Sequence, residues 1–294
     1  MDYLTLKQRQ SWDLESKIIH SKNVIKEFYE HFNGKVYVSF SGGKDSTVLL
    51  HLVRSIYPEV VGVFLNTRVE YPEIIRFVHS TSNIVTVYPK FTFKQVIDKY
   101  GYPAVSKEQS QFISEAKTTK SDYLRSKRLG TNPIFKRVGA VSKKYIYLIN
   151  APFKISDKCC KYLKKEPMIK YEKETKLNPI MGNKAIDSWR RRTSYIRNNG
   201  CIAWNQKRPD CKPLSFWTDK DIWDYIHQFN ISYSDIYDKG YNSTGCVLCL
   251  FGCHLQKEPN RIQLLKQTHP KLWNYAMKYL NYKEICDFIK VKYE

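Results

Sequence analysis

The sequence lacks any apolar run approaching the roughly 18 residues that a membrane-spanning helix needs. Its opening residues, Met1-Asp-Tyr-Leu-Thr-Leu-Lys7, also lack the apolar core of a secretory signal. A cytoplasmic protein with no membrane attachment is therefore expected. Acidic residues are scarce: 28 Asp and Glu stand against 49 Lys and Arg, a formal charge of +21. That imbalance favours a polyanionic partner, nucleic acid being the commonest. The competing reading is a lysine-rich surface with its charge scattered, and charge distribution discriminates the two. Cysteine is not lacking. In a reducing compartment the eight present read as metal ligands or reactive thiols ahead of disulfides. With 294 residues, 42% of them hydrophobic, the chain can build one large α/β domain, or a domain with a smaller appendix. The oligomeric state stays open.

A Walker-type loop is also missing, because Gly-x4-Gly-Lys-Ser/Thr cannot be laid over Ser41-Gly-Gly-Lys-Asp-Ser46. What stands there is a strand, a glycine turn and a helix. Val36, Val38 and Phe40 suit a buried strand. Ser41, Gly42 and Gly43 break the run where backbone must turn tightly and approach a ligand. Val48, Leu49, Leu52 and Val53 then recur at helical spacing. Free N–H groups, a helix dipole, the hydroxyls of Ser41, Ser46 and Thr47, and Lys44 converge into a phosphate cradle. The hexad resembles the PP-loop of the ATP pyrophosphatases, the adenine nucleotide α-hydrolase superfamily, whose members hold the β,γ-pyrophosphate and cut at the α-phosphate.

Further along, residues 1–34 carry helical periodicity ending at Asn33-Gly34. Val60–Leu65 and Asn83–Tyr88 read as further strands, and Pro72 suits the first turn of the helix between them. Strand–helix alternation predicts an α/β fold with a doubly wound, mostly parallel sheet and a helical C-terminal part. The expected divisions are an N-terminal helical segment (1–34), a nucleotide-binding α/β domain (35–230) and a cluster-binding helical region (231–294). Within the second, residues 101–144 form a basic insert with ten Lys or Arg against three acids. It reads as a groove for a nucleic-acid backbone, with Tyr100, Tyr102, Tyr123 and Phe135 available to stack; a solvated helical excursion or an oligomer contact is the alternative. Tyr145–Ile149 reads as a strand.

Two thiol pairs stand out. Cys159 and Cys160 are adjacent at a helix start, and their Cα separation of ~3.8 Å is too short for an unstrained disulfide. Cys246 and Cys249 are three apart on a turn, a spacing that grips one metal centre. Cys160 and Cys246 lie 86 residues apart, so all four meet only if the chain folds back. By ligand chemistry the set suits a four-thiolate zinc or a [4Fe–4S] cluster. Cys253 is a fifth thiol or a structural cysteine, Cys201 and Cys211 read as structural, and Cys286 reads as the buried face of a terminal helix. His254 and His269 show no zinc spacing.

Together these motifs are similar to the phosphoadenylyl sulfate (PAPS) reductase family of the PP-loop superfamily, in its iron–sulfur branch with Cys-Cys and Cys-x2-Cys. The resemblance rests on the PP-loop; on Asn66-Thr67 with Tyr71-Pro-Glu73; on Lys158-Cys-Cys-x-x-Leu-Lys-x-x-Pro167; on Gly182 through Arg191; on Pro213 through Ile226; and on Tyr237 through Cys246. It implies ATP or an adenylyl sulfonucleotide on Ser41, Gly42, Gly43, Lys44, Asp45 and Ser46, with Asn66 and Thr67 at the base end. Lys184, Arg190 and Arg191 would face the phosphate or sulfonate end. Lys44 would neutralise the leaving pyrophosphate, and Asp45 would help hold Mg²⁺ or order the loop. Cys159, Cys160, Cys246 and Cys249 would hold a [4Fe–4S] cluster in preference to zinc. Family reductases carry a nucleophilic cysteine in a Glu-Cys-Gly-Leu-His tail; here Cys286 is followed by neither glycine nor histidine. The expectation is therefore an ATP pyrophosphatase that adenylylates an acceptor, nucleic acid by the charge, for sulfur transfer from a donor or reductant protein. Alternatives are a sulfonucleotide reductase using Cys253, Cys286 or a partner's thiol, and a non-catalytic nucleotide and iron–sulfur sensor.

Overall fold

A computed structural model describes residues 2–294. Helices α1 (Tyr3–Gln10) and α2 (Leu14–His31) are capped by the carboxylates of Asp2 and Asp13. The chain turns at Asn33-Gly34 into β1 (Val36–Ser39), then α3 (Lys44–Arg54), β2 (Gly62–Leu65), α4 (Pro72–Ser80) and β3 (Ile84–Val87). Next come α5 (Phe93–Tyr100), α6 (Lys107–Thr118), α7 (Asp122–Leu129) and a 3₁₀ helix, Lys143–Asn150. Helix α8 (Lys158–Cys160) runs through a π-helical turn, Lys161–Lys165, into α9 (Glu166–Thr175). The remainder is β4 (Asn178–Met181), α10 (Trp189–Arg197), α11 (Asp219–Gln228), α12 (Arg261–Thr268), α13 (Pro270–Tyr279) and α14 (Tyr282–Phe288). Among the described residues no helix is long and apolar enough to cross a membrane.

The four strands form one parallel sheet in the order β3-β2-β1-β4. Val36, Tyr37 and Val38 of β1 are buried, as expected of a central parallel strand, whereas Val85 on the edge strand β3 is exposed. From β1 the connections through α3 and α4 step one way across the sheet, while β4 pairs on its other side. The order therefore reverses at β1, and in such sheets ligands bind at the carboxyl ends of the strands flanking that reversal. This is the doubly wound α/β arrangement that the strand–helix alternation predicts.

The chain divides into two compact units that interleave in sequence. One holds the residues through Asn66, Tyr71–Val87 and Met168–Thr244, and thus the whole sheet. The other holds Thr67–Glu70, Tyr88–Pro167 and Gly245–Glu294, so the basic segment 101–144 shares a unit with the C-terminal helices. In that unit Tyr145–Ile149 is a 3₁₀ helix, not the expected strand. A short apolar run has no period of its own to choose between the two. Here Tyr145 and Leu148, three apart, turn inward together, and the Ser142 N–H is held by Gln109 Oε1 of α6 at 2.8 Å.

Within the sheet unit a buried ion pair fastens α2 to the start of α11. Lys17 is only 1% exposed, and its Nζ lies 2.7 Å from Asp221 Oδ2. Asp221 also completes a capping box with Thr218, and Trp217 Nε1 donates to Ser21 Oγ at 3.0 Å. Asp221→Ala would strand the Lys17 charge out of water, a loss of about 3–5 kcal/mol. The double change Lys17→Met with Asp221→Leu should recover most of it. Urea denaturation of the three chains checks this, and a loss under about 1 kcal/mol for Asp221→Ala would contradict the role given to the pair.

Candidate nucleotide cleft and four-thiol site

At the carboxyl ends of β1 and β4 lies a cleft of about 620 Å³. Its floor is the turn from β1 into α3. Gly42 sits at φ +72°, and a Cβ there would come within 2.9 Å of Val78 Cγ2. A Cβ on Gly43 would stand 2.4 Å from Thr244 Oγ1, so glycine is required at both positions. The loop is stapled from within: the Ser41 N–H donates to Ser46 Oγ (3.1 Å), and Ser46 Oγ donates to the Gly43 carbonyl (2.8 Å). The Lys44 N–H donates to Tyr237 Oη at 2.7 Å. The N-terminus of α3 thus opens into the cleft with no side-chain cap of its own, the arrangement that favours an anion.

Cations and carboxylates alternate around this floor. Lys44 Nζ lies 3.1 Å from Asp219 Oδ1 and 3.7 Å from Asp45 Oδ1. Lys184, only 1% exposed, reaches Asp45 at 2.6 Å, Asp219 at 3.3 Å and Asp187 at 3.5 Å. Burial opposes the Lys184 charge, but Asp45, Asp187 and Asp219 outweigh it and hold the ammonium above its ordinary pKa. Burial likewise opposes the Asp219 carboxylate, yet its bonds to Lys44 and Lys184 keep its pKa low. Arg191 pairs with Asp187.

Of the residues expected at a nucleotide, Ser41, Gly43, Lys44, Asp45, Ser46, Lys184 and Arg191 line the cleft, and Gly42 shapes its turn. Arg190 lines a smaller cavity, about 140 Å³, that shares Asn183, Lys184 and Arg191 with it. Asn66 and Thr67 do not line the cleft. The Asn66 N–H donates to the Val87 carbonyl at the end of β3 (2.9 Å). Thr67 belongs to the other unit, where its Oγ1 donates to Glu70 Oε1 (2.6 Å) and stands 3.9 Å from Cys246 Sγ. The sequence gives Asp219, Tyr237 and Thr244 no role at the cleft, although Tyr237 opens a family motif. Their only local signals are the Thr218 cap beside Asp219 and the Tyr237–Cys246 motif.

The four cysteines of the two pairs all lie in the second unit. Cys159 and Cys160 share α8, and each of the four thiols is electrostatically affected by others of the set. The hydrogen bond from Cys159 lowers the Cys160 pKa to about 6, with Lys107 and Lys164 acting against burial. The same bond, with burial, pushes Cys159 up. Burial raises Cys246 to about 11, countered in part by Lys164. Lys164 belongs to the Lys158–Pro167 motif, which by itself gives it no role at the thiols. The π-helical turn, a bulge common at functional sites, carries it among the thiols. Cys246, with Glu70 and Cys160, holds the Lys164 ammonium charged despite burial. Among the described residues, no three His, Cys, Asp or Glu side chains converge on a single-ion position; the thiols share a neighbourhood rather than one point. By donor type alone, four sulfurs beside the half-buried Lys164 suit a thiolate-ligated metal centre.

The remaining cysteines are all buried. Cys253 is buried and its Sγ donates to Asn260 Oδ1 at 3.6 Å, burial raising its pKa. Cys286 is buried on α14, its thiol pushed up to about 12 by burial. Burial raises Cys201, to about 12, and Cys211 as well. His254 accepts from or donates to Tyr145 Oη at 2.5 Å.

Residues 35–121 and 115–250 match the family model of the phosphoadenosine phosphosulfate reductase domain. An uncharacterized protein of Methanocaldococcus jannaschii is 27% identical over 278 residues, 93% of this chain; the chain spans about half, 54%, of that relative. An adenosine 5'-phosphosulfate reductase of Anoxybacillus flavithermus is 23% identical over 261 residues, 85% of this chain and 90% of that protein. Two solved structures are similar. One is a phosphoadenylyl-sulfate reductase from Candida auris in a phosphate complex (TM-score 0.45, 15% identity, 84% of this chain and 96% of that one). The other is the U34-tRNA thiolase NcsA from Methanococcus maripaludis with its [4Fe–4S] cluster (TM-score 0.38, 12% identity, 93% and 80%). With the family model spanning most of the sequence, and both cysteine pairs inside the matched residues, the chain belongs to the phosphoadenosine phosphosulfate reductase domain family.

Proposed function

We propose that the protein is an ATP pyrophosphatase that adenylylates an acceptor for sulfur transfer, with a metal–sulfur centre on its four cysteines. One observation carries this: a helix N-terminus with no N-cap side chain of its own at the sheet's switch point, facing Lys44 and Lys184 and the carboxylates of Asp45, Asp187 and Asp219. The β,γ-pyrophosphate would lie on the N–H groups of Gly43 to Ser46, and the lysines would exchange carboxylate partners for phosphate oxygens. The carboxylates so released, Asp45 first, would hold Mg²⁺. An acceptor nucleophile attacks the α-phosphorus, the α–β P–O bond breaks, and pyrophosphate departs with its charge met by Lys44. The acceptor's proton goes to water or to a cleft carboxylate. A sulfur nucleophile from a donor protein then displaces AMP. Preorganised cations and amides suffice for the first step, so no protein nucleophile is needed.

A [4Fe–4S] cluster on Cys159, Cys160, Cys246 and Cys249 would supply a redox or sulfur-binding centre; zinc on the same thiolates would supply neither electron transfer nor colour. Lys164 would offset the negative charge of the thiolates. Nucleic acid is the acceptor class we favour, since residues 117–144 carry nine Lys or Arg against a single acid, Asp122. Lys120, Lys136, Arg137 and Lys143 are exposed there, available to a phosphate backbone. A sulfonucleotide reductase is the second reading, favoured by relatives named adenosine 5'-phosphosulfate reductase. It needs a reactive thiol outside the four. Cys253 and Cys286 are buried with raised pKa values, so that thiol would come from a partner.

Anaerobic protein given labelled ATP with single-stranded or duplex DNA or RNA should release pyrophosphate. Lys44→Ala should lower kcat about 10²–10³-fold, the usual effect of removing one preorganised donor. Failure to release pyrophosphate with every acceptor would overturn adenylylation, and thiol-dependent sulfite release from adenylyl sulfate would establish the reductase reading instead. Metal removal gives a separate check. Cys249→Ser should lose iron and brown colour while ATP binding stays within about 1 kcal/mol, a binding factor of about five. A colourless protein holding one zinc would remove the redox part.

A further inference from the structure

Trp189 is 70% exposed, although it opens α10 directly after Asp187 and Ser188, which line the nucleotide cleft. Leaving an indole in water forfeits one of the largest apolar burials available to a side chain. Its surroundings are cationic. Helix α10 carries Arg190, Arg191, Arg192 and Arg197 and no acidic residue. Arg191 is turned to Asp187. Arg192 lies three residues beyond Trp189 and shares its face of the helix. The Arg192 guanidinium stands 5.4 Å from the ring of Tyr3, itself 43% exposed, and Lys7 Nζ lies 5.7 Å from the same ring. Aromatic and cation therefore alternate along this surface.

The platform is held in place from below. Arg9 Nη1 of α1 donates to Tyr195 Oη of α10 at 3.0 Å, and Ser188 Oγ caps α10 through the Arg191 N–H. Flat π-faces interleaved with positive charge are what unpaired nucleobases on a phosphate backbone recognise. A duplex keeps its bases stacked inside and offers such a surface only its phosphates. The charge excludes an acidic-residue counterpart on α10 and matches a polyanion.

We propose that Trp189, with Arg192 and Tyr3, forms a stacking platform beside the nucleotide cleft that binds an unpaired stretch of the nucleic-acid acceptor. This rests on the nucleic-acid acceptor of the preceding section, but strand binding can be read without turnover. The test is fluorescence anisotropy of the anaerobic full chain with end-labelled, mixed-sequence single-stranded DNA, the matching RNA, and a blunt duplex. Single strands should bind more tightly than duplex. Trp189→Ala should weaken single-strand binding about tenfold, as loss of one stacking residue does. Trp189→Phe should restore most of the affinity, and ATP binding should be unchanged in both variants. Arg192→Gln should lower the slope of log affinity against log salt by about one. Equal affinity for wild type and Trp189→Ala, no single-strand binding by wild type, or a preference for duplex would each overturn the platform. So would a loss of self-association in Trp189→Ala with strand binding intact, which would make the tryptophan a contact between copies. If strands bind through Trp189 and pyrophosphate is never released, the platform stands and adenylylation falls.

Discussion

The structure of the sheet unit depends on one buried charge. Lys184 is almost wholly withdrawn from water, and a lone ammonium in that position would cost several kcal/mol. Three aspartates from three places in the sequence compensate it: Asp45 at the start of α3, Asp187 three residues downstream, and Asp219 in the first turn of α11. Holding Lys184 charged therefore draws the β1–α3 turn, the segment after β4 and the cap of α11 to one point. Asp221, two residues beyond Asp219, anchors the same turn to α2 through Lys17, a second buried pair behind the first. The cleft is thus a set of charges balanced against one another. A ligand presenting both signs would exchange for those internal partners without leaving a bare charge.

The second unit repeats the device with different chemistry. Lys164 is held charged against burial by Cys246, Glu70 and Cys160. The π-helical turn, rather than a regular helix, carries it there, and Thr67 and Glu70 complete the surroundings by hydrogen bonding to each other. The hydrogen bond from Cys159, with Lys107 and Lys164 nearby, favours the thiolate at Cys160 alone, while Cys159, Cys246 and Cys249 are held above the ordinary thiol pKa. Burial is the largest cause raising the pKa values of Cys201, Cys211, Cys253 and Cys286.

Local features of the chain were legible where their physics is local. The strand–glycine–helix of Val36 to Arg54, Pro72 at a helix start, the Thr218 cap and the buried terminal Cys286 each follow from propensity, periodicity or capping over a few residues. Family membership was legible too, because spaced motifs survive at low identity. Tyr145–Ile149 was misread because five apolar residues do not distinguish a strand from one turn of helix. Nothing in the run Lys158–Lys165 tells Lys164, a member of its motif, from the three other lysines, and nothing in the Asn66-Thr67 pair tells that Thr67 bonds Glu70 in the second unit.

The sequence by itself determined the α/β alternation, the anion-seeking turn, the two cysteine pairs and the excess of positive charge, since each is written in neighbouring residues or in composition. Only the tertiary structure decided which lysines are taken out of water, which aspartates answer them, that all four paired cysteines fall in one unit, and that Trp189 stays in solvent. Those outcomes depend on desolvation and on Coulomb partners from distant parts of the chain, and neither is a property of any residue alone.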